Sequence, residues 1–87
     1  MYDWDDAKRE WTLETRGLDF ADMDRFDWES ALVANDGRAD YGEVRFVAIG
    51  LLDGETCVVC YTHRGAGIRI ISLRKASRKE RNLYHGT

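Results

Sequence analysis

The sequence predicts an α+β domain with two N-terminal helices, a four-stranded antiparallel meander and a short C-terminal helix. Three observations carry this. Helix-capping signals stand at both ends of the chain, at Asp5, Asp19 and Ser77. Between them, from Ala31 onward, the apolar pattern shortens to a strand-like period. Two glycine-bearing turns, Asp53-Gly54 and Arg64-Gly65-Ala66-Gly67, divide that stretch into consecutive antiparallel runs.

The first helix is read from DWDDAKREWTLETRG, with Asp5 as cap, Asp6 favouring the positive end of the dipole and Gly17 suited to a left-handed stop. Trp4, Ala7 and Trp11 recur at helical spacing and predict a narrow buried stripe. A second helix follows in DFADMDRF, capped by Asp19, with Phe20, Met23 and Phe26 inward and Trp28 completing the cluster. ALVAND is a first strand and NDGRADYG a polar loop. EVRFVAIGLLD is a second strand, ETCVVCYTHR a third and IRIISLRK a fourth. SRKERNLY closes the chain as a helix whose Ser77 and Glu80 form a capping box.

The turns also predict a register. A two-residue loop at Asp53-Gly54 places Arg45 opposite Thr62. A second loop of two or four residues places Thr62 opposite Arg69. Arg45, Thr62 and Arg69 then form one row at the rim of a face continued by Val47, Ile49, Val58, Cys60, Ile71 and Leu73 as core. In this register Arg74 falls on the other face, because side chains alternate along a strand.

Length and charge bound the function. Eighty-seven residues make one domain over 1–87, and 44% hydrophobic residues with three Trp allow a real core. No apolar run is long enough to span a bilayer, and the acidic start lacks the apolar segment of a signal peptide, so a cytoplasmic protein is expected. The net charge of −3 hides a division. Residues 1–43 hold 13 acids against 5 bases, and residues 44–87 hold 3 acids against 8 bases. Such asymmetry points one half toward a polyanion, or pairs the halves with each other.

Most familiar catalytic signatures are absent. Cys57 and Cys60 resemble a CxxC motif, but on a strand they point to opposite faces and are expected to be buried thiols. His63 and His85 lack a partner at ligand spacing, so no metal or other cofactor is expected. His63 stands at a strand end beside Arg64, where it could act as general acid or base. The arginines remain, with Lys75 and Arg78 in the basic tail. Guanidinium forks bind phosphate oxygens at two points, and Tyr41 or Tyr61 could stack a base. Cleavage of RNA by attack of its own 2′-hydroxyl needs positive groups on the developing charge and, ideally, an acid and a base. Glu43, His63 and Tyr41 are all possible bases.

Taken together, WDDAKREW, TRGLDFADM, RADYGEVRFVAIG, CVVCYTHRG and IRIISLRKASRKER resemble the BrnT family of toxins from type II toxin–antitoxin pairs, distantly similar to RelE-type ribonucleases. The resemblance runs from Trp4 to about Tyr84. Its most specific parts are Asp40-Tyr41-Gly42-Glu43-Val44-Arg45 and Arg69 to Ala76. It implies a RelE-like fold and a ribonuclease that arrests growth, neutralised by a cognate BrnA-type antitoxin through which alone it would meet operator DNA. It implies phosphate-binding and transition-state roles for Arg64, Arg69 and Arg74, with Glu43 and Arg45 orienting substrate. The chain departs from the family pattern at Arg16, where His is usual, at Asp6, where Pro is usual, and at His63, where Glu is usual. The competing reading is a non-catalytic homologue that binds an antitoxin or nucleic acid without cleaving.

Overall fold

The computed structural model describes residues 1–38 and 40–86. In chain order the elements are β1 (Tyr2–Trp4), α1 (Asp6–Arg16), a 3-10 helix (Phe20–Arg25), β2 (Leu32–Asn35), β3 (Phe46–Leu52), β4 (Glu55–Arg64), β5 (Gly67–Lys75) and α2 (Arg78–His85). The sheet has five strands in the order β1-β5-β4-β3-β2. The antiparallel meander is there, and the fold is α+β, but the sheet is mixed: β1 runs parallel to β5, with Asp3 opposite Arg69. Reading Trp4 into the first helix missed this strand. Asp5 accepts from Lys8 N and holds extended backbone, so everything before it is released from the helix.

Both expected N-terminal helical segments form, the second as a 3-10 rather than an α-helix. Asp19 caps it through Ala21 N, and Phe20, Met23 and Phe26 turn inward as expected. While Trp4, on β1, packs partly buried against the core, helix α1 does not bury Ala7 and Trp11 of the expected stripe. Its buried residue is Thr12, while Trp11 is 52% exposed beneath the Arg16 guanidinium. The helix docks through polar contacts instead. Arg9 forks onto Asp19, and Arg16 Nη1 donates to Leu73 O at 3.0 Å. That carbonyl is open because β1 stops at Trp4 and leaves the outer edge of β5 bare beyond Ile70.

Asp53 and Gly54 both take positive φ, 51° and 81°, the signature of a tight I′ hairpin turn. That turn sets Phe46 opposite Tyr61 and Val47 opposite Cys60, the predicted register. Strand β3 begins at Phe46, later than expected. The Gly65-Ala66 loop sets Thr62 opposite Arg69, also as predicted. The ladder then slips. Tyr61 pairs Ile70 but Cys60 pairs Ser72, so Ile71 is an extra residue, a bulge.

The main core lies on the face opposite to the one expected. Ala48, Leu52, Cys57, Val59, Tyr61, Ile70 and Leu73 pack under Phe20, Met23 and Phe26. Trp28 meets Phe26 and Tyr61 edge-on at 4.8 and 5.0 Å and gives its indole N–H to Tyr2. Val47, Ile49, Val58 and Cys60 share the second face, as cross-strand pairing requires. Strand β4 is buried on both faces from Thr56 to Thr62, so its alternation carries no polarity signal to distinguish them. Leu73 was assigned to the second face. The bulge moves it to the main core. On the second face α2 packs through Ser30–Tyr84 and Thr56–His85 contacts.

Candidate functional site

The slip at Ile71 decides where the arginines go. Without it Arg69 and Arg74, five positions apart, would face opposite ways. With it, Arg69 pairs Thr62, Ser72 pairs Cys60 and Arg74 pairs Val58. Thr62, Cys60 and Val58 share one face of β4, so Arg69, Ser72 and Arg74 share it too. The placement of Arg74 on the opposite face is therefore corrected by one unpaired residue. The loop between β2 and β3 brings Arg38 and Arg45 to the same side.

Each of these guanidiniums has a carboxylate partner. Arg74 forks onto Glu80 at 2.7 and 2.8 Å. Arg38 forks onto Asp36 at 2.7 Å on both arms. Arg69 reaches Asp3 at 2.7 Å, across the β1–β5 pair. Glu43 is shared, 3.2 Å from Arg45 and 3.5 Å from Arg64. Arg45 also lies 3.9 Å above the Tyr41 ring. Thr62 is buried and donates its hydroxyl to Val44 O at 2.6 Å, which ties the β2–β3 loop to the sheet beside Arg45.

A cavity of about 340 Å³ opens on this face. Its floor is Val47, Val58, Cys60 and Ser72, one wall is Asp36 and Arg38, and the other is Arg74 and Glu80. Glu80 carries two duties, since it completes the capping box by accepting from Ser77 N and also holds Arg74. The Arg74 fork, opposed by partial burial, holds the Glu80 carboxyl down at about 2. The Arg38 fork does the same for Asp36, also to about 2. Arg69 lowers Asp3 by its hydrogen bond. Burial raises the Cys60 thiol, and the nearby Asp36 carboxylate raises it further. Carboxylates gripped this way are ionised at neutral pH and are weak bases.

Among the residues singled out from the sequence, Arg45, Arg64, Glu43 and Tyr41 are brought together, and Arg69 and Arg74 lie on the same face. His63 is not brought there. It alternates with Thr62 onto the opposite face, where its ring meets Phe46 at 5.2 Å and Tyr61 at 5.9 Å. Lys75 pairs Cys57 on that same opposite face and lies 4.0 Å from Glu55. Arg78 is exposed on α2, where with Lys79, Asn82 and Leu83 it lines a separate groove. Asp36, Arg38 and Asp3 were missed. Asp36 and Arg38 occur in a loop whose polar composition signals only a turn, and Asp3 acts through the strand that was not foreseen. Among the described residues no group of three or more His, Cys, Asp or Glu is placed to hold a metal. No described helix is long and apolar enough to cross a membrane.

The exposed carboxylates Asp6, Glu10, Glu14 and Asp24 lie on α1 and the 3-10 helix, which cover the other face. The same two helices also carry Lys8, Arg9, Arg16 and Arg25, so the charge on that side is mixed. The family model described as ribonuclease toxin, BrnT, of type II toxin–antitoxin system matches residues 4–80. No curated protein matches.

Proposed function

The chain belongs to the BrnT family of ribonuclease toxins of type II toxin–antitoxin systems, and from this we propose that residues 1–87 form one toxin domain that cleaves RNA in the cytoplasm without a metal. The observation that carries the reading is the gathering of Arg45, Arg64, Arg69 and Arg74 on one side of the sheet. In the proposed reaction the RNA 2′-hydroxyl gives up its proton and attacks the adjacent phosphorus, the bond to the 5′-oxygen breaks, that oxygen takes a proton from water to leave as a 5′-hydroxyl, and a 2′,3′-cyclic phosphate is left. Guanidiniums on the non-bridging oxygens stabilise the charge that grows there. Charge stabilisation of this kind is the part of the work that the arginines supply.

The proton of the 2′-hydroxyl needs an acceptor. Asp36 and Glu80 are held by two-point forks that leave little basicity. Glu43 is held only by single contacts at 3.2 and 3.5 Å, and it lies between two guanidiniums that can orient a phosphate beside it. We assign the base to Glu43. Tyr41, with its ring under Arg45, is assigned to substrate contact. Lys75 and Arg78 would attract the RNA strand from outside the site. A BrnA-type antitoxin is the proposed neutralising partner, with operator DNA met only through it.

The test is cleavage of free RNA in excess EDTA by the purified protein and by Arg69→Ala, with folding of both checked by circular dichroism. Cleavage by the wild type that is lost in the folded variant supports the reading. Cleavage that survives Arg69→Ala removes Arg69 from the chemistry. One observation favours a second reading, binding without cleavage: every arginine of the site already has an acidic partner, and no imidazole lines the cavity. RNA bound by the wild type but left intact, with and without ribosomes, would establish it.

A further inference from the structure

The Asp36–Arg38 pair does more than close a loop. Asp36 follows the last residue of β2, and its backbone N–H donates to Arg45 O at 2.8 Å. Its carboxylate side chain is only 1% exposed. Burying a carboxylate is costly unless hydrogen bonds replace its water. Here they do so from several elements. Arg38 supplies Nε and Nη2 at 2.7 Å and its backbone N–H at 3.4 Å, Tyr41 its hydroxyl at 3.5 Å, and Cys60 its thiol at 3.7 Å.

The group thus held is Arg38, and its side chain is 75% exposed. An arginine that exposed ordinarily samples many rotamers and gives little binding energy to any one of them. A fork onto a buried carboxylate fixes its plane while leaving its outer edge, including Nη1, turned to solvent. Across the cavity Arg74 is fixed in the same manner by Glu80. The Glu80 fork makes Arg74 hold its proton more tightly, and Arg38 is near enough to oppose this weakly. Each guanidinium is neutralised by its own carboxylate, so an anion seated between the walls is held by the outer edges of the two fixed guanidiniums and by the Ser72 hydroxyl on the floor rather than by net charge.

We propose that Arg38, positioned by Asp36, and Arg74 form a phosphate subsite for a phosphodiester of single-stranded RNA, separate from the cluster around Glu43. It rests on the RNA-cleaving reading above and deepens it by adding a second point of contact along the strand. Asp36 is a positioning residue in this scheme, and Arg38 touches the ligand.

The experiment is fluorescence anisotropy of a labelled single-stranded RNA oligomer across a salt series, with wild type, Arg38→Ala, Arg38→Lys, Asp36→Asn and Arg69→Ala. Arg38→Ala leaves the buried Asp36 carboxylate with fewer partners and lowers the thermal midpoint, so binding is read well below the midpoint of each variant and folding is checked by circular dichroism. Arg38→Ala weakens binding roughly tenfold and flattens the slope of log K against log salt by about 0.7, the loss of one phosphate contact on a single strand. Arg38→Lys restores the slope but not the affinity, because the charge returns without the fork. Asp36→Asn keeps the slope and loses affinity. Wild-type affinity and slope in Arg38→Ala, beside a clear loss in Arg69→Ala, overturns the subsite and leaves the wider reading standing. No binding by the wild type at any salt overturns both.

Discussion

Replacing Glu80 by Gln isolates what the Arg74 fork contributes. Gln can still serve the capping box, since its side-chain oxygen reaches Ser77 N as the carboxylate does. The change therefore removes the charge and keeps the cap. The carboxyl falls from its ordinary 4.5 to about 2 in the folded chain, with Arg74 the leading cause. At about 1.4 kcal/mol per tenfold change in proton affinity, this sets a ceiling of roughly 3 kcal/mol. Arg74 is 44% exposed, so solvent screens the pair and about 1 to 1.5 kcal/mol is the expected contribution. For a domain of this size that lowers the melting temperature by roughly 5 to 10 °C. The sign follows from a depressed folded pKa. The advantage of wild type over Glu80→Gln is fully present above pH 4.5 and is lost as pH falls toward 2. The assay is urea unfolding of both proteins from pH 7 to pH 2, read as the difference between them so that the other carboxylates cancel. Equal stability at pH 7 would refute the reasoning, as would a gap that stays constant to pH 2.

Two further outcomes follow from packing. A Cβ added at Gly50 would stand 2.6 Å from Phe26 Cζ and 3.1 Å from Ala31 Cβ, so Gly50→Ala should cost about 1 to 3 kcal/mol, measured by urea midpoint. Shortening the ring in the double variant with Phe26→Leu should recover part of that loss, and strict additivity would show that the clash is not the cause. Both cysteines are buried, and burial pushes the Cys57 thiol up to about 11. A thiol reagent at pH 8 should therefore find neither in the native protein and both in guanidinium. Fast labelling of Cys57 in native protein would mean that the main core opens, and fast labelling of Cys60 that the second face does.

Much of the fold was legible because its signals are local. Asp5, Asp19, Ser77 and Glu80 cap where their side chains reach the next turn, and Asp53-Gly54 dictates its own hairpin. What was misread depends on distant neighbours. Strand β1 is three residues long, too short for any period, and exists because the edge of β5 offers it a ladder. Trp11 has the spacing of a core residue, yet α1 docks by Arg9, Thr12 and Arg16 instead. The choice of core face was hidden because Val58 and Val59 are both buried, and polarity could not rank them. In the site, Arg45 lies just before β3 and outside its ladder, whereas Arg69 opposite Thr62 was readable from the turns. Arg74 was not, because nothing in Ile70-Ile71-Ser72 marks which residue is left over.

The leftover Ile71 makes the two ends of β5 independent in phase. Its first half answers to the turn at Gly65, and its second half to Cys60 and the residues beyond. Deleting Ile71 would leave a regular, fully paired strand with Arg74 still opposite Val58 and Leu73 still opposite Val59. Losing the slip with every residue kept would instead set Arg74 opposite Cys57 and Leu73 opposite Val58, an arginine entering the core and a leucine lining the cavity. The position of the slip, rather than the residue in it, therefore decides which side of the sheet carries the arginine.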